Sequence, residues 1–152
     1  MRASEILPGS PERLTVPAEP PGAGYRLADD LLAVHRSADA DPVVVPATTA
    51  GPRDASELGP VYRRDPGGDV VVPTGRVLVR FAGEESVAER TTALAGAGYR
   101  LEETLSYAPE AVWARATAGG IVGSLRNLGA LSRLPEVRSA QPELIGERSW
   151  RS

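Results

Sequence analysis

The chain has 152 residues, a formal net charge of −3, no cysteine and a single histidine, His35. This composition excludes disulfides, thiol catalysis and metal sites built on cysteine or on several histidines, and its charge gives no electrostatic footprint for nucleic acid or an anionic membrane. No stretch reaches the ~20 apolar residues that span a bilayer, and prolines replace the apolar core of a signal peptide, so we expect a cytoplasmic protein that needs no cofactor.

Residues 1–24 predict a flexible, proline-rich tail. Five of them are proline, and each proline removes a backbone donor and biases the residue before it toward extended conformations. No apolar periodicity accompanies these prolines. The sequence therefore offers this segment no core to join.

Residues 25–74 predict a β-rich extension made of short apolar runs. Tyr25–Leu27 and Leu31–Val34 flank Asp29 and Asp30, a pattern that indicates a tight hairpin. The aspartates are interpreted as turn residues rather than as a catalytic pair. We expect this extension to lean on the domain that follows it.

Two further signals lie in the same extension. Val43–Val45 stands between two prolines, which suits only an edge strand. Val61 and Tyr62 precede, and Val70–Val72 follow, a turn sequence of aspartate, proline and two glycines. The second pattern predicts two short β segments separated by a turn.

Residues 75–143 predict a compact domain with clearer periodicity. In Arg76–Phe81 alternation places Val77, Val79 and Phe81 on one face, which is typical of a strand. Ser86 then predicts a helix N-cap, and Glu89 three residues later completes a capping box. Two glycines that follow the apolar stripe supply the stop signal.

The rest of this domain predicts two strands, a second helix and a last strand closed by Pro142. Apolar residues alternate in the strands and recur every three to four positions in the helix. The predicted bounds are Tyr99–Tyr107, Ala111–Thr117, Ile121–Ser132 and Val137–Gln141.

This order predicts an α+β fold of the ferredoxin-like βαββαβ kind, with a four-stranded antiparallel sheet and two helices on one face. The other face is left bare, which is where such a domain typically meets a partner. RNA recognition would require paired aromatic residues on the central strands, whereas the first strand here offers Val77-Leu-Val-Arg-Phe81 and the third offers one tryptophan, Trp113, with no basic surround. Metal-chaperone versions of the fold require a cysteine pair, which is absent.

Five short motifs occur in a characteristic order within this domain. They are Val77-Leu-Val-Arg-Phe81, Ala97-Gly-Tyr-Arg-Leu101, Leu105-Ser-Tyr107-Ala-Pro109, Leu131-x-x-Leu134-Pro-Glu-Val137 and Ala140-Gln-Pro142. In order and spacing, Gly75 to Glu143 resembles the propeptide of subtilisin-like serine proteases. Such propeptides inhibit the protease and template its folding. The resemblance implies a non-catalytic module that binds a subtilisin-like serine protease, in trans, or in cis within a longer precursor.

The resemblance also implies which residues contact the protease. The segment after the last strand would enter the active-site cleft as a substrate does, by pairing with the walls of the cleft. Trp113 is a candidate interface residue, because Arg115 shares its side of the strand, and a core position is the alternative. Glu110 in the turn before it is suited to cap a helix of the partner, or else is a solvated turn charge. The candidate residues of the C-terminal segment are Leu144, Ile145, Glu147, Arg148, Ser149 and Trp150.

Two alternatives stay open. The first is a non-catalytic interaction or adaptor module with the same fold and an unrelated partner, since fold alone does not choose a function. The second is an enzyme, which would have to rely on Asp, Glu, Ser, Tyr or Arg side chains. No constellation of these residues stands out, and His35 is interpreted as a structural or surface residue.

Overall fold

A computed structural model describes residues 2–14, 24–35, 42–49, 58–65 and 68–146 of the chain. Of these residues, 45% lie in strands and 24% in helices. They fall into two compact units, Met1–Thr74 with Leu144–Ser152, and Gly75–Glu143. Each helix within the described ranges is too short or too polar to cross a membrane.

The described residues include ten strands and four helices. The strands are β1 Arg13–Leu14, β2 Gly24–Leu27, β3 Leu31–Val34, β4 Val43–Pro46, β5 Leu58–Gly59, β6 Tyr62–Asp65, β7 Val70–Phe81, β8 Tyr99–Thr104, β9 Ala111–Ala116 and β10 Val137–Gly146. The helices are α1 Ala3–Ile6, α2 Val87–Gly96, α3 Gly120–Arg126 and α4 Leu128–Ser132, with a 3₁₀ turn at Ala47–Thr49.

The predicted ferredoxin-like fold is wrong. Seven strands form one sheet, in the order β1-β2-β6-β7-β9-β8 with β10 paired to β7, and a separate sheet has the order β4-β3-β5. The chain is therefore strand-rich, rather than a four-stranded sheet with two helices and a short extension.

The long strand β7 is the physical reason for this difference. The sequence predicts two strands here, interrupted by Pro73 and Gly75, but β7 runs without a break from Val70 to Phe81. Its first two residues pair with β6, and residues 76–80 pair with β9. Pro73 and Gly75 fall between these two ladders, so the missing donor of the proline interrupts neither of them.

Strand β10 also extends further than predicted. It continues past Pro142 to Gly146. Among the described strands it pairs with β7 alone. A proline is tolerated at such an edge, because its missing N–H need not serve a second ladder.

The second predicted helix is divided in two. Asn127 separates α3 from α4 and has φ −90° and ψ 0°, outside the helical range, so the helix cannot continue through it. The start and the end of α2 agree with prediction. Ser86 and Glu89 form the capping box, with reciprocal hydrogen bonds of 3.1 Å, and the helix ends at Gly96.

The hairpin predicted around Asp29 and Asp30 does not form. Strand β2 pairs with β1 and β6, whereas β3 pairs with β4 and β5. The Asp29 carboxylate accepts a hydrogen bond from the Ser4 amide at 2.8 Å, and Asp30 forms an ion pair with Arg63 at 2.8 Å. These contacts hold the turn between strands of different sheets. The other two predictions for this region agree with the structure: among the described strands β4 lies at the edge of its sheet, and short β segments lie on both sides of the predicted turn, where β6 pairs antiparallel with β7.

Residues 2–14, which the sequence places in a tail, contain α1 and β1. Ala3 and Leu14 are buried. The Tyr62 hydroxyl donates a hydrogen bond to the Pro11 carbonyl at 2.6 Å.

The core of the Gly75–Glu143 unit lies between its strands and helices. Leu94 of α2 and Leu131 of α4 are fully buried against side chains of the sheet. Ser124 is buried too, and its hydroxyl accepts a hydrogen bond from the Ala116 amide at 3.0 Å. The sheet residues of this core are Val77, Val79, Phe81, Tyr99, Val112, Ala114, Ala116, Val137 and Ala140.

Candidate protein-interaction face

The side of the sheet opposite this core carries a patterned set of polar and aromatic side chains. Along β7, Val77 and Val79 are fully buried, so the residues that alternate with them point to the other face. The same alternation on β9 turns Trp113 to that side. We call this surface the Trp113 face; its residues are Arg76, Leu78, Arg80, Arg100, Glu102, Glu103, Trp113 and Arg115.

Two arginines stand directly opposite each other on this face. Arg76 of β7 is in register with Arg115 of β9, and like charges in this position destabilise a sheet. Glu102 compensates for both, since it accepts a hydrogen bond from Arg115 Nε at 2.7 Å and lies 4.0 Å from Arg76 Nε. The hydrogen bond from Arg115, and then the positive charges nearby, lower the pKa of the Glu102 carboxyl.

A bulge in β8 brings a second carboxylate to the same place. The register between β8 and β9 shifts between Leu101 and Glu103. The extra residue of a bulge disturbs the alternation of side chains, so that both Glu102 and Glu103 reach Arg76. The distance from Arg76 Nη2 to Glu103 Oε2 is 3.5 Å.

The indole of Trp113 is covered by Arg76. The guanidinium carbon lies 4.1 Å from the centroid of the ring, within the range of a cation–π contact. Glu143 of β10 is a third carboxylate near the guanidinium, 4.0 Å from Nε. The Arg76 side chain keeps 27% of its surface exposed, and Trp113 itself is half-buried.

Glu110, the other candidate in this unit, pairs with the far end of the face. Its carboxylate lies 3.0 Å from Nη1 of Arg80, and both side chains are exposed by more than 40%. Glu110 and Trp113 therefore belong to one surface, with Leu78 in register with Trp113 at its centre. When Glu110 and Glu143 are included, the Trp113 face carries four arginines and four glutamates, so its formal net charge is zero.

The remaining predicted residues lie in the C-terminal segment. Leu144 and Ile145 are half-buried residues of β10 and belong to the other unit. Glu147, Arg148, Ser149 and Trp150 lie outside the described residues.

The sequence prediction missed the arginines of β7. Arg76, Leu78 and Arg80 alternate with the apolar residues that identified the strand, so the signal was present. The pairing of Arg76 with Trp113 depends on the register between β7 and β9, which the sequence does not reveal. The adjacent glutamates of β8 were missed because alternation assigns them to opposite faces, and only the bulge brings them together.

Two other kinds of site, a metal site and a surface groove, were considered on the described residues. Within the described ranges no group of His, Asp or Glu side chains is placed to hold a metal ion. An open groove of about 400 Å³ beside α2 is lined by Glu85, Glu89 and Glu136 together with three small side chains. Glu89 is already used by the capping box. This groove is therefore an acidic surface.

Comparisons of the chain with known proteins gave no match to a family model, to a curated protein or to a solved structure.

Proposed function

We propose that this chain is a non-catalytic protein-binding module whose partner is a subtilisin-like serine protease, which it inhibits or helps to fold. The observation that carries the proposal is the Trp113 face, where a half-buried tryptophan and a leucine are surrounded by arginines and glutamates. The protease is named from the ordered motifs of the sequence, which resemble a subtilase propeptide.

The composition of the face supports a role in binding. Tryptophan and arginine are enriched among the residues that dominate binding energy, and interfaces commonly place an apolar centre within a polar rim. Here Leu78 and Trp113 are in register at the centre. The ion pairs of Arg80 with Glu110 and of Arg115 with Glu102 lie on either side of them.

Inhibition of a purified protease tests this proposal. The chain is added to a subtilisin-like serine protease, and hydrolysis of a peptide substrate is measured. Trp113→Ala is expected to weaken inhibition by about 2 kcal/mol of binding free energy, which is ~30-fold in Kd. Tyr107→Ala is the matched control, because Tyr107 is 82% exposed and lies in the turn before β9. Absence of inhibition at micromolar concentration, together with no rescue of protease refolding, would contradict the proposal.

The C-terminal segment supplies a second test. Removal of residues 147–152 leaves β10 complete, since this strand ends at Gly146. If the segment occupies the active-site cleft, the truncated chain is expected to lose inhibition while its unfolding transition changes little. Equal inhibition by the full and the truncated chain would show that residues 147–152 do not contribute to binding.

The cytoplasmic location expected from the sequence belongs to the same proposal. Fractionation of the native cells, followed by detection of the chain with an antibody, tests it. Recovery from the medium or an envelope fraction would contradict this part.

A further inference from the structure

We propose that Arg90 is a positioning residue for the partner-binding surface: from the helix side of the sheet it holds the turn that directs Glu110 to the Trp113 face. This inference rests on the proposed binding role of that face and deepens it, because it names a buried residue that sets the geometry of an exposed one. Arg90 itself is not expected to contact the partner, since only 8% of its surface is exposed.

Arg90 is a buried cation without a carboxylate partner. It lies in α2, and its guanidinium carbon is 4.8 Å from the centroid of the Phe81 ring. Among the described residues, no Asp or Glu side chain forms an ion pair with it. Burial of an unpaired charge is costly, so core stability alone does not account for an arginine at this position.

The hydrogen bonds of Arg90 go to backbone carbonyls. Nη1 donates to the Pro109 carbonyl at 2.5 Å, and Nη2 lies 3.5 Å from the Gly83 carbonyl. Within the described residues, Arg90 is the only hydrogen-bond donor to the Pro109 carbonyl. Arg90 thus ties α2 to the turn between β8 and β9.

The Pro109 carbonyl belongs to the central peptide group of a tight turn. The Ala111 amide donates to the Ala108 carbonyl at 3.0 Å, which closes a β-turn. Pro109 and Glu110 occupy its two central positions. Type I and type II turns differ in the orientation of the peptide between these positions, and proline suits the first position of both. A donor on the Pro109 carbonyl therefore holds this peptide, and with it the backbone of Glu110, in one orientation.

Glu110 reaches the Trp113 face from this turn. Its carbonyl accepts a hydrogen bond from the Phe81 amide at 2.8 Å, while its carboxylate lies 3.0 Å from Nη1 of Arg80. A loop that is ordered before binding lowers the entropic cost of association. Loss of the Arg90 contact is therefore expected to weaken binding although Arg90 touches no partner.

Arg90→Met in the full chain tests this role. Methionine has a similar helix propensity and packs well on an aromatic ring, but it donates no hydrogen bond to Pro109. We expect inhibition of a subtilisin-like protease to weaken about tenfold, with little change in the urea midpoint. Arg90→Lys, which can still donate to Pro109, should restore most of the inhibition. Arg126→Met, at an exposed arginine at the end of α3, is the control and should match the parent chain.

A double-mutant cycle separates positioning from a general effect on the fold. If Arg90 acts through Glu110, the loss of inhibition caused by Glu110→Gln should be smaller in the Arg90→Met background than in the parent chain. The losses caused by Arg90→Met and Trp113→Ala should instead add. Additive losses for Arg90→Met and Glu110→Gln would overturn the inference.

Amide hydrogen exchange of the free protein provides a readout that needs no protease. The Ala111 amide, which closes the turn, should exchange faster in Arg90→Met, whereas the amides in the ladder between β7 and β9 should be unchanged. Unchanged exchange at Ala111, or an equal acceleration throughout the ladder, would refute the positioning role. If the parent chain inhibits no subtilisin-like protease, the proposed partner is contradicted, and a local acceleration at Ala111 still supports Arg90 as the residue that holds Glu110 in place.

Discussion

Glu102 joins two strands of the Trp113 face through its charge. Its carboxylate lies beside both Arg76 and Arg115, so that without it the two opposed guanidinium groups would repel each other. We expect Glu102→Gln to lower the free energy of unfolding by about 1 kcal/mol, a figure kept small because all three side chains are partly exposed. Urea denaturation followed by circular dichroism measures the change.

A matched substitution controls for the loss of a carboxylate. Glu84 is exposed, so Glu84→Gln is expected to leave the urea midpoint within experimental error. If the two variants are equally stable, Glu102 does not neutralise the arginine pair.

Carboxylates with lowered pKa values predict a loss of stability in acid. Hydrogen bonds lower the pKa of Glu102, through Arg115, and of Asp30, through Arg63. A carboxyl whose pKa is lower in the folded than in the unfolded protein stabilises the fold above the unfolded pKa. That contribution is lost as the pH falls through the folded pKa.

The urea midpoint should therefore be level near neutral pH and fall below about pH 4.5, the ordinary pKa of a glutamate. The fall should be shallower in Glu102→Gln, because one of the contributing carboxyls is gone. Urea midpoints measured from pH 3 to pH 7 check both statements, and parallel curves for the two proteins would contradict the assignment to Glu102.

At the residue scale, the sequence revealed contacts between near neighbours and missed those between strands. Ser86 and Glu89 are three residues apart, and their reciprocal capping contacts follow from this spacing alone. Trp113 was selected as a candidate because Arg115 shares its side of the predicted strand. Its contact with Arg76 depends on strand pairing across 37 positions and was not predictable.

At the element scale, helix α3 depends on a glycine. A Cβ atom added to Gly123 would lie 2.1 Å from the carbonyl oxygen of Ala118, closer than any tolerated contact. Gly123→Ala must therefore move the helix or the preceding turn, and we expect a loss of about 1–3 kcal/mol in unfolding free energy. Thermal and urea denaturation provide the measurement.

Gly129 in α4 is the matched control. Its added Cβ would meet only a flexible side chain, at 3.9 Å, and alanine favours a helix over glycine by about 0.5–1 kcal/mol. Gly129→Ala should thus be neutral or stabilising. A similar loss in both variants would mean that the close contact at Gly123 is not what requires glycine.

The edge strand β4 is protected by a proline. The Ala47 amide donates to the Asp30 carbonyl at 2.8 Å, and hydrogen-bonded positions alternate in an antiparallel pair. The amides of Val43 and Val45 thus face β3, whereas positions 44 and 46 face away from it. Pro46 has no N–H, which leaves Val44 as the outward donor of this strand.

Replacement of Pro46 should make β4 a better template for pairing with another chain. Strand β4 carries no charged side chain, and Val43 is 41% exposed, features that favour edge-to-edge association. We expect Pro46→Ala to self-associate at lower concentration than the parent chain in analytical ultracentrifugation. Pro135→Ala, at an exposed proline after α4, is the control and should match the parent. Identical behaviour of all three proteins would argue against a protective role.

Elements with strong local signals were predicted well, whereas the extents of β7, of β10 and of the second helix were not. The strands β7 and β9 and the start of α2 follow from alternation and from a cap. The continuation of β7 through Pro73 and Gly75 was missed because proline and glycine normally interrupt strands. Whether they do so depends on where the neighbouring strands pair, and the local sequence does not specify that pairing. The break at Asn127 was hidden by an apolar stripe that runs through both α3 and α4.

At the scale of the whole molecule, strand pairing between distant segments decided the architecture. Strand β2 pairs with β6 across more than thirty residues of sequence. The hairpin expected at Asp29 was the local alternative for the same strand, and it was wrong. Short strands of similar composition can pair in several ways, and the choice depends on burial of their side chains. This ambiguity is why the seven-stranded sheet could not be predicted.

The distribution of the core between the two units leads to a last prediction. Every residue of the core cluster around Val77 lies between Gly75 and Glu143, as do the ion pairs of the Trp113 face. A fragment of residues Gly75–Glu143 should therefore unfold cooperatively in urea, since it retains its packed apolar side chains. A longer fragment, Val70–Gly146, keeps β7 and β10 whole, and its urea midpoint should be higher than that of Gly75–Glu143. If neither fragment shows a cooperative transition, the Trp113 face requires the remainder of the chain, and its binding experiments are meaningful only on the full protein.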